Sequence, residues 1–122
     1  MPNESELSLL TGLEVKDLDS AEAAAKKLLR RGNFKVIVTM GEKGVLYVSQ
    51  EETFHISAFS VNVLDTTAAG DAFIGGLAVS FARGKEMRAS IRYASACGAL
   101  AVTRFGAQPS LPTAEEVEKF LN

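Results

Sequence analysis

One stretch of ten residues, Leu64 to Phe73 (Leu-Asp-Thr-Thr-Ala-Ala-Gly-Asp-Ala-Phe), constrains the fold of this chain more than any other. A β-like run from Ser60 to Leu64 leads into it. An amphipathic run follows it, in which Phe73, Leu77 and Phe81 recur at four-residue spacing. This pattern predicts a strand, a tight turn of small residues and a helix.

The predicted turn has the properties of an anion-binding site. The backbone N–H groups of Ala69, Gly70 and Asp71 would lie at the helix N-terminus, where the first amides lack intrahelical partners and the macrodipole is positive. Asp71 places a carboxylate in the same turn, and this charge would repel a phosphate unless it had a chemical task. Two interpretations of Asp71 stay open on the residues alone. It is either the base that takes a proton from a hydroxyl attacking a phosphate or a helix cap.

The rest of the chain predicts a layered α/β fold with an incomplete mixed sheet. Asn3 and Glu6, like Thr113 and Glu116, have the spacing of a capping box. Strand 35–40 is apolar enough to be buried on both faces and needs neighbours on both sides. The predicted helices cover 3–10, 20–31 (with Asp19 or Ser20 as its cap), 69–84, 87–103 and a last short segment from 113; the predicted strands cover 35–40, 45–49, 53–57 and 60–64.

Composition narrows the class of protein. The 122 residues have the length of one domain, and the net charge of −2 gives no indication of a nucleic-acid or membrane partner. No apolar run approaches the ~20 residues of a membrane span, and no basic, apolar leader begins the chain, so we expect a cytoplasmic protein. The lone Cys97 is expected to be a small core residue, and His55, which alternates with Phe54 and Ile56, is expected to face solvent.

The segment Asp65 to Phe73 resembles the C-terminal signature of the ribokinase-like (pfkB-type) sugar kinases, whose commonest form has glycine at the position of Ala68. Three further segments, 2–6, 39–44 and 101–110, fall in the order and spacing of that family. The resemblance covers essentially the whole chain, but only the C-terminal part of a complete family member. It implies a single partial domain over 1–122, the C-terminal portion of a three-layer α/β/α fold without the lid and the sugar-binding N-terminal half.

The resemblance implies roles for individual residues. Asp71 would be the catalytic base, and the amides of Ala68, Ala69, Gly70 and Asp71 would form the anion hole around the transferred group. Glu6 would help to hold the water shell of Mg²⁺. The implied ATP-binding residues are Asn3, Glu6, Thr39, Gly41, Glu42, Lys43, Gly44, Gly70, Asp71 and, at the adenine, Ser95.

A site for a monovalent cation is also implied, and the resemblance indicates potassium. An all-oxygen cage suits a hard cation. Its ligands would be Asp65, Thr67, Ala101, Arg104, Gly106 and Ser110, several of them through main-chain carbonyls. On the residues alone, Asp65 has a second interpretation as the residue that starts an Asx turn.

The implied function is an ATP-dependent sugar kinase, with D-ribose converted to D-ribose 5-phosphate in preference to other sugars. Another pfkB-type activity, such as that of a fructokinase, is one alternative. A non-catalytic fragment that binds a nucleotide or a partner is the other. We expect the isolated chain to be inactive, and we expect either a homo-oligomer or pairing with an N-terminal half.

Overall fold

The computed structural model describes residues 1–103 and 112–122. The chain folds into two compact units, Met1–Ser57 and Ala58–Asn122. The single partial domain over 1–122 stays a prediction. Within the described residues, no helix is both long enough and apolar enough to cross a bilayer.

The unit Met1–Ser57 consists of two helices and a three-stranded sheet. The helices are α1 (Glu4–Thr11) and α2 (Leu18–Arg30), and the strands are β1 (Lys35–Thr39), β2 (Val45–Ser49) and β3 (Thr53–Ile56), with a 3-10 turn at Gly41–Lys43 after β1. The sheet order is β1-β2-β3, and both pairs are antiparallel. The predicted hairpin of β2 and β3 is confirmed.

The core of this unit follows from the alternation of strand residues. The register pairs Val36 with Val48 and Val38 with Leu46, so these four side chains share one face of the sheet. The apolar side of α2 covers that face, where Ala24 is fully buried. The four positions of α2 in this core, Ala21, Ala24, Ala25 and Leu28, recur at three- and four-residue spacing, as the helix period requires.

Both helices of this unit begin at capping boxes. At α1 the predicted box forms, since the Asn3 side chain accepts from the Glu6 N–H at 2.8 Å and the Glu6 carboxylate accepts from the Asn3 N–H at 3.0 Å. The prediction of Asp19 or Ser20 as the cap of α2 is wrong. Asp17 is the N-cap, because Asp17 and Ser20 stand three residues apart and each side chain reaches the other's backbone N–H.

The Asp17 cap makes the start of α2 sensitive to acid. Hydrogen bonds from Ser20 lower the pKa of Asp17 in the folded protein. A carboxylate with a lowered pKa stabilises the fold above its unfolded pKa, and this stability is lost as the pH falls through the folded pKa. We therefore expect Asp17→Asn, which keeps a capping side chain, to flatten the pH dependence of the free energy of unfolding below about pH 4. Urea denaturation at several pH values measures this pH dependence.

The matched control for this prediction is Asp19→Asn, which removes a charge from the same helical turn without touching the cap. Below about pH 4, the free energy of unfolding of this variant should depend on pH as steeply as that of the wild type. If Asp17→Asn and the wild type lose stability equally on acidification, the cap does not carry the pH dependence.

The described residues of the unit Ala58–Asn122 form three helices, α3 (Ala69–Ala82), α4 (Met87–Ala101) and α5 (Ala114–Leu121). The predicted box of Thr113 and Glu116 begins α5. The end of α3 is a Schellman motif, in which the Lys85 N–H donates to the Ser80 carbonyl at 3.1 Å and the Gly84 N–H to Phe81 at 3.0 Å. Gly84 has the positive φ, 73°, that this ending requires.

Helices α3 and α4 approach each other closely at Gly76. A Cβ added to Gly76 would lie 2.6 Å from the Cys97 Sγ and 3.1 Å from the Ala94 Cα. Cys97 is buried, as predicted, and desolvation raises the pKa of its thiol to about 11. Such a thiol is protonated at neutral pH and fills space in the core.

The predicted strand at 60–64 does not form. The Leu64 and Asp65 N–H groups donate instead to the Val102 carbonyl, at 2.7 and 3.1 Å. A strand needs a neighbouring strand for its backbone groups, and no described strand pairs with this segment. The sheet of the described residues is therefore antiparallel rather than mixed. Its one parallel feature is the isolated bridge between Asn3 and Thr39.

Candidate active site

The N-terminus of α3 is open. Its N-cap position is Ala68, which has no side chain that can accept a hydrogen bond, and no side-chain cap forms there. Ala69, Gly70 and Asp71 occupy the first three helical positions. The sequence places small residues here, so no bulky side chain covers the positive end of the helix dipole, although the Ala69 N–H already donates to the Thr66 carbonyl at 3.2 Å. The anion-binding geometry predicted for this turn has its structural basis in this uncapped terminus.

Asp71 does not cap the helix. The N-cap position belongs to Ala68, which is buried, whereas Asp71 stands at the third helical position and is exposed to solvent. The capping interpretation of Asp71 is therefore wrong. A carboxylate at this position stays accessible to a proton on a bound hydroxyl, as a general base requires.

Asp65 starts an Asx turn immediately before α3. Its Oδ1 accepts from the Thr67 N–H at 2.9 Å and also from the Thr67 hydroxyl. The Asx interpretation of Asp65 is confirmed, and the turn orders the approach to the helix. The Asp65 N–H also donates to the carbonyl of Val102, the residue after Ala101. Three of the predicted cation ligands, Asp65, Thr67 and Ala101, thus lie on segments joined by hydrogen bonds; Arg104, Gly106 and Ser110 lie outside the described residues.

Ser95 contains the one buried side-chain oxygen or nitrogen without a hydrogen-bond partner in the part of the chain that the structure describes. A buried hydroxyl with no partner costs about 1–3 kcal/mol. Gly98, one turn further along α4, leaves room beside the Ala69 carbonyl, since an added Cβ would lie 3.4 Å from that oxygen. An adenine whose ring nitrogens meet the Ser95 hydroxyl would satisfy it. The Ser95 hydroxyl thus fits the adenine contact predicted for it, and the contact stays a prediction.

In the unit Met1–Ser57, three predicted nucleotide-binding residues come together. Asn3 and Thr39 form the parallel bridge, and the Thr39 N–H donates to the Pro2 carbonyl at 3.1 Å. Asn3 and Glu6 hold each other's backbone amides in the capping box. The structural interpretation of Asn3 and Glu6 is confirmed, and their roles toward phosphate and magnesium stay predictions.

The turn at 41–44, which contains Gly41, Glu42, Lys43 and Gly44, follows directly after β1. Gly41 and Gly44 have positive φ angles of 56° and 94°, which glycine adopts without strain. The Lys43 Nζ donates to the Lys16 carbonyl at 2.7 Å and pairs with the Glu4 carboxylate at 3.4 Å. The ammonium group of Lys43 therefore fastens the turn to the starts of both helices.

Sequence reasoning missed a second anchor of this turn. The Nε2 of His55, on β3, lies 2.5 Å from the Lys43 carbonyl oxygen. His55 is half-buried against the turn, and the expectation that it simply faces solvent is wrong. The alternation of residues 54–56 correctly placed His55 and Phe54 on opposite faces, but the register pairs His55 with Leu46, on the face of the sheet that packs against α2. The contact joins residues twelve positions apart.

A family model describing the pfkB family of carbohydrate kinases matches residues 1–114. The chain belongs to this family. Two curated relatives are a deoxyribokinase of Salmonella typhi, 41% identical over all 122 residues, and a ribokinase of Haemophilus influenzae, 42% identical over 120 residues. These matches cover 40% and 39% of the two relatives, so the chain spans about two fifths of their length.

Solved structures of kinases confirm the fold class. The ribokinase of Thermotoga maritima matches 98% of this chain with a TM-score of 0.90 and 44% identity. The Arabidopsis thaliana ribokinase complexed with ribose and ATP matches 99% of it with a TM-score of 0.94 and 36% identity. The phosphofructokinase-2 of Escherichia coli in complex with potassium matches 97% of this chain with a TM-score of 0.85 and 27% identity. The matched part is 40%, 39% and 38% of those three chains. This pfkB family chain has the predicted C-terminal portion of the ribokinase-like fold.

Proposed function

We propose that this chain carries the catalytic base and nucleotide-binding residues of an ATP-dependent sugar kinase that phosphorylates ribose. The observation that carries the proposal is Asp71, exposed in the first turn of α3 beside an uncapped helix N-terminus. Membership of the pfkB family supports the reaction class. Ribose as the acceptor is supported by relatives that are ribokinases and deoxyribokinases, one of them complexed with ribose and ATP.

In this mechanism Asp71 takes the proton from the attacking sugar hydroxyl. Phosphoryl transfer depends mainly on positioning and on neutralising the charge of the transferred group. The amides from Ala68 to Asp71 would face that charge at the start of α3, where the Ala69 N–H also donates to the Thr66 carbonyl at 3.2 Å. Alanine in place of the family's commoner glycine keeps the backbone N–H at position 68, and its added methyl group is buried.

The remaining residues bind and orient the nucleotide. ATP would supply the phosphoryl group and Mg²⁺ would neutralise its phosphates, with Glu6 near the water shell of the metal and Asn3 near the phosphates. The 41–44 turn, held by Lys43 and His55, would pack over the phosphates and ribose of the nucleotide. The unpartnered hydroxyl of Ser95 would contact the adenine.

A potassium site belongs to the same proposal. Asp65, Thr67 and Ala101, together with Arg104, Gly106 and Ser110, would supply oxygen ligands suited to a hard monovalent cation. The Asx turn holds Asp65 and Thr67 at the residues that lead into the anion hole. A cation bound there would add positive charge next to the site of phosphoryl transfer. The potassium complex of Escherichia coli phosphofructokinase-2 supports this assignment.

A second candidate function is a non-catalytic module that binds a nucleotide or a partner. The observation that favours it is the apolar character of α3, on which Ile74, Val79 and Phe81 are 55%, 41% and 45% exposed. A helix that is apolar on all sides is usually covered by other protein. The chain spans only about 40% of its relatives, so such a cover can come from another part of a kinase or from a separate partner.

The test compares the purified chain with a chimera in which it replaces the matching 40% of Thermotoga maritima ribokinase. ADP release is measured with ATP, magnesium and either D-ribose, 2-deoxyribose or fructose, in potassium and in sodium buffer. We expect ribose-dependent turnover by the chimera, faster in potassium. A folded chimera that binds ATP without sugar-dependent ADP release would leave the non-catalytic module as the function. The preference among the three sugars reports the sugar-binding half that the Thermotoga maritima enzyme supplies, so sugar-dependent release as such is the readout for this chain.

A further inference from the structure

The unit Ala58–Asn122 has a shallow pocket of about 170 Å³ at the opposite end of α3 from Asp71. Arg83 stands twelve residues after Asp71, which is about 18 Å along a helix axis. The pocket therefore lies apart from the candidate active site. Its polar lining consists of Ser80, Arg83, Lys85, Arg92, Tyr93 and Glu118.

Rigid elements hold the pocket in shape. Lys85 follows the Schellman motif of α3, in which its own N–H donates to the Ser80 carbonyl. The guanidinium of Arg92 lies 5.6 Å from the centre of the Phe59 ring, a cation–π distance, and Phe59 in turn packs edge-on against Phe120. The backbone and the arginine are thus positioned before any ligand arrives, which lowers the entropy lost on binding.

The charge of the pocket is strongly positive for this chain. Arg83, Lys85 and Arg92 contribute three positive charges, and Glu118 is the single carboxylate in the lining, whereas the whole chain has a net charge of −2. The Glu118 Oε1 lies 3.9 Å from the Arg83 Nη1, which is a long distance for an ion pair. The pocket therefore has a surplus of two positive charges, and cations held close together favour an anion among them.

The start of α4 adds to this field. Its N-cap position, Glu86, makes no side-chain cap, and its first turn has no acidic residue. Ala89, in that first turn, also lines the pocket. The positive end of the α4 dipole supports the charge of the three basic side chains, while the exposed Glu86 carboxylate at the N-cap position opposes it.

We propose that this pocket binds an oxyanion of the phosphate class, either inorganic phosphate or the phosphate group of a phosphomonoester. Arginine offers forked N–H donors that match phosphate oxygens, and lysine adds a point charge. Glu118 opposes the bound anion and limits its affinity. This proposal does not depend on kinase activity.

Tyr93 provides a local probe for the test. The chain has two tyrosines and no tryptophan, so Tyr47→Phe leaves Tyr93, in the pocket lining, as the sole fluorescent tyrosine. The Tyr47→Phe chain is titrated with inorganic phosphate, with ribose 5-phosphate and with chloride at equal ionic strength, and Tyr93 fluorescence is recorded. We expect a saturable change with phosphate and none with chloride. Tighter binding of the ester would identify the phosphomonoester as the ligand.

Charge variants test the assignment in the same background. Arg92→Gln and Lys85→Gln should each weaken phosphate binding about tenfold, as expected for the loss of one charged hydrogen bond, and Glu118→Gln should strengthen it. Lys26→Gln, which removes a positive charge on α2 outside the pocket lining, should leave binding unchanged. The proposal is overturned if phosphate and chloride act alike, or if Lys26→Gln weakens binding as much as the pocket variants do. Circular dichroism confirms that each variant is folded.

Discussion

Asp71→Asn should reduce sugar-dependent ADP release by the Thermotoga maritima ribokinase chimera by about 10²- to 10⁴-fold, the usual contribution of a general base. Asparagine has nearly the same shape and cannot accept the proton of the attacking hydroxyl. Asp71 is exposed and does not cap α3, so the substitution should leave the helix intact. Steady-state assays with saturating ATP and ribose measure the loss.

ATP binding separates this catalytic role from a structural one. Loss of a negative charge beside the phosphates should leave the Kd for ATP unchanged or lower it, as measured by calorimetry on the same chimera. Asp19→Asn is the matched control, since it makes the same substitution in the first turn of α2, and it should keep full turnover. Retained turnover in Asp71→Asn would exclude Asp71 as the base.

Gly76→Ala should destabilise the protein by about 2 kcal/mol, although alanine is normally the better residue in a helix. The new methyl group would lie 2.6 Å from the Cys97 Sγ and 3.1 Å from the Ala94 Cα. A short buried side chain and a helix backbone cannot both move away without disturbing the contact of α3 with α4. Urea denaturation gives the change in the free energy of unfolding, and Gly76→Val should cost more.

Gly75→Ala is the control, one position earlier in the same helix. An added Cβ there meets nothing within 4 Å, so the helix propensity of alanine should stabilise the protein by up to about 1 kcal/mol. Combining Gly76→Ala with Cys97→Ala removes the sulfur contact and should recover part of the loss. Equal effects of Gly75→Ala and Gly76→Ala would show that the close approach of the two helices is not the cause.

Which of Gly75 and Gly76 packs closely against α4 could not be predicted from the sequence. Nothing in the local pattern distinguishes two adjacent glycines in an apolar helix. The distinction comes from α4, eighteen or more residues further along the chain, where Ala94 and Cys97 face one of the two glycines. A long-range contact of this kind depends on how two helices pack.

Most local elements of this protein could be predicted from its residues alone. Capping boxes at Asn3 and Thr113 were predictable because each side chain bonds an amide three residues away. The β2–β3 hairpin followed from alternation, and the motif at 65–73 indicated both the α3 turn and the family. These signals arise from interactions between residues that are close in sequence, so they appear as patterns in the sequence itself.

The contacts that cross between elements became visible in the folded structure. It tied the Lys43 ammonium group to Glu4 and Lys16, and it brought His55 to the Lys43 carbonyl. Among the residues that the structure describes, no strand pairs with 60–64, so their apparent β pattern did not become a strand. Hydrogen-bond partners and packing neighbours that are far apart in sequence come within bonding distance only in the folded chain, so local sequence patterns do not reveal them.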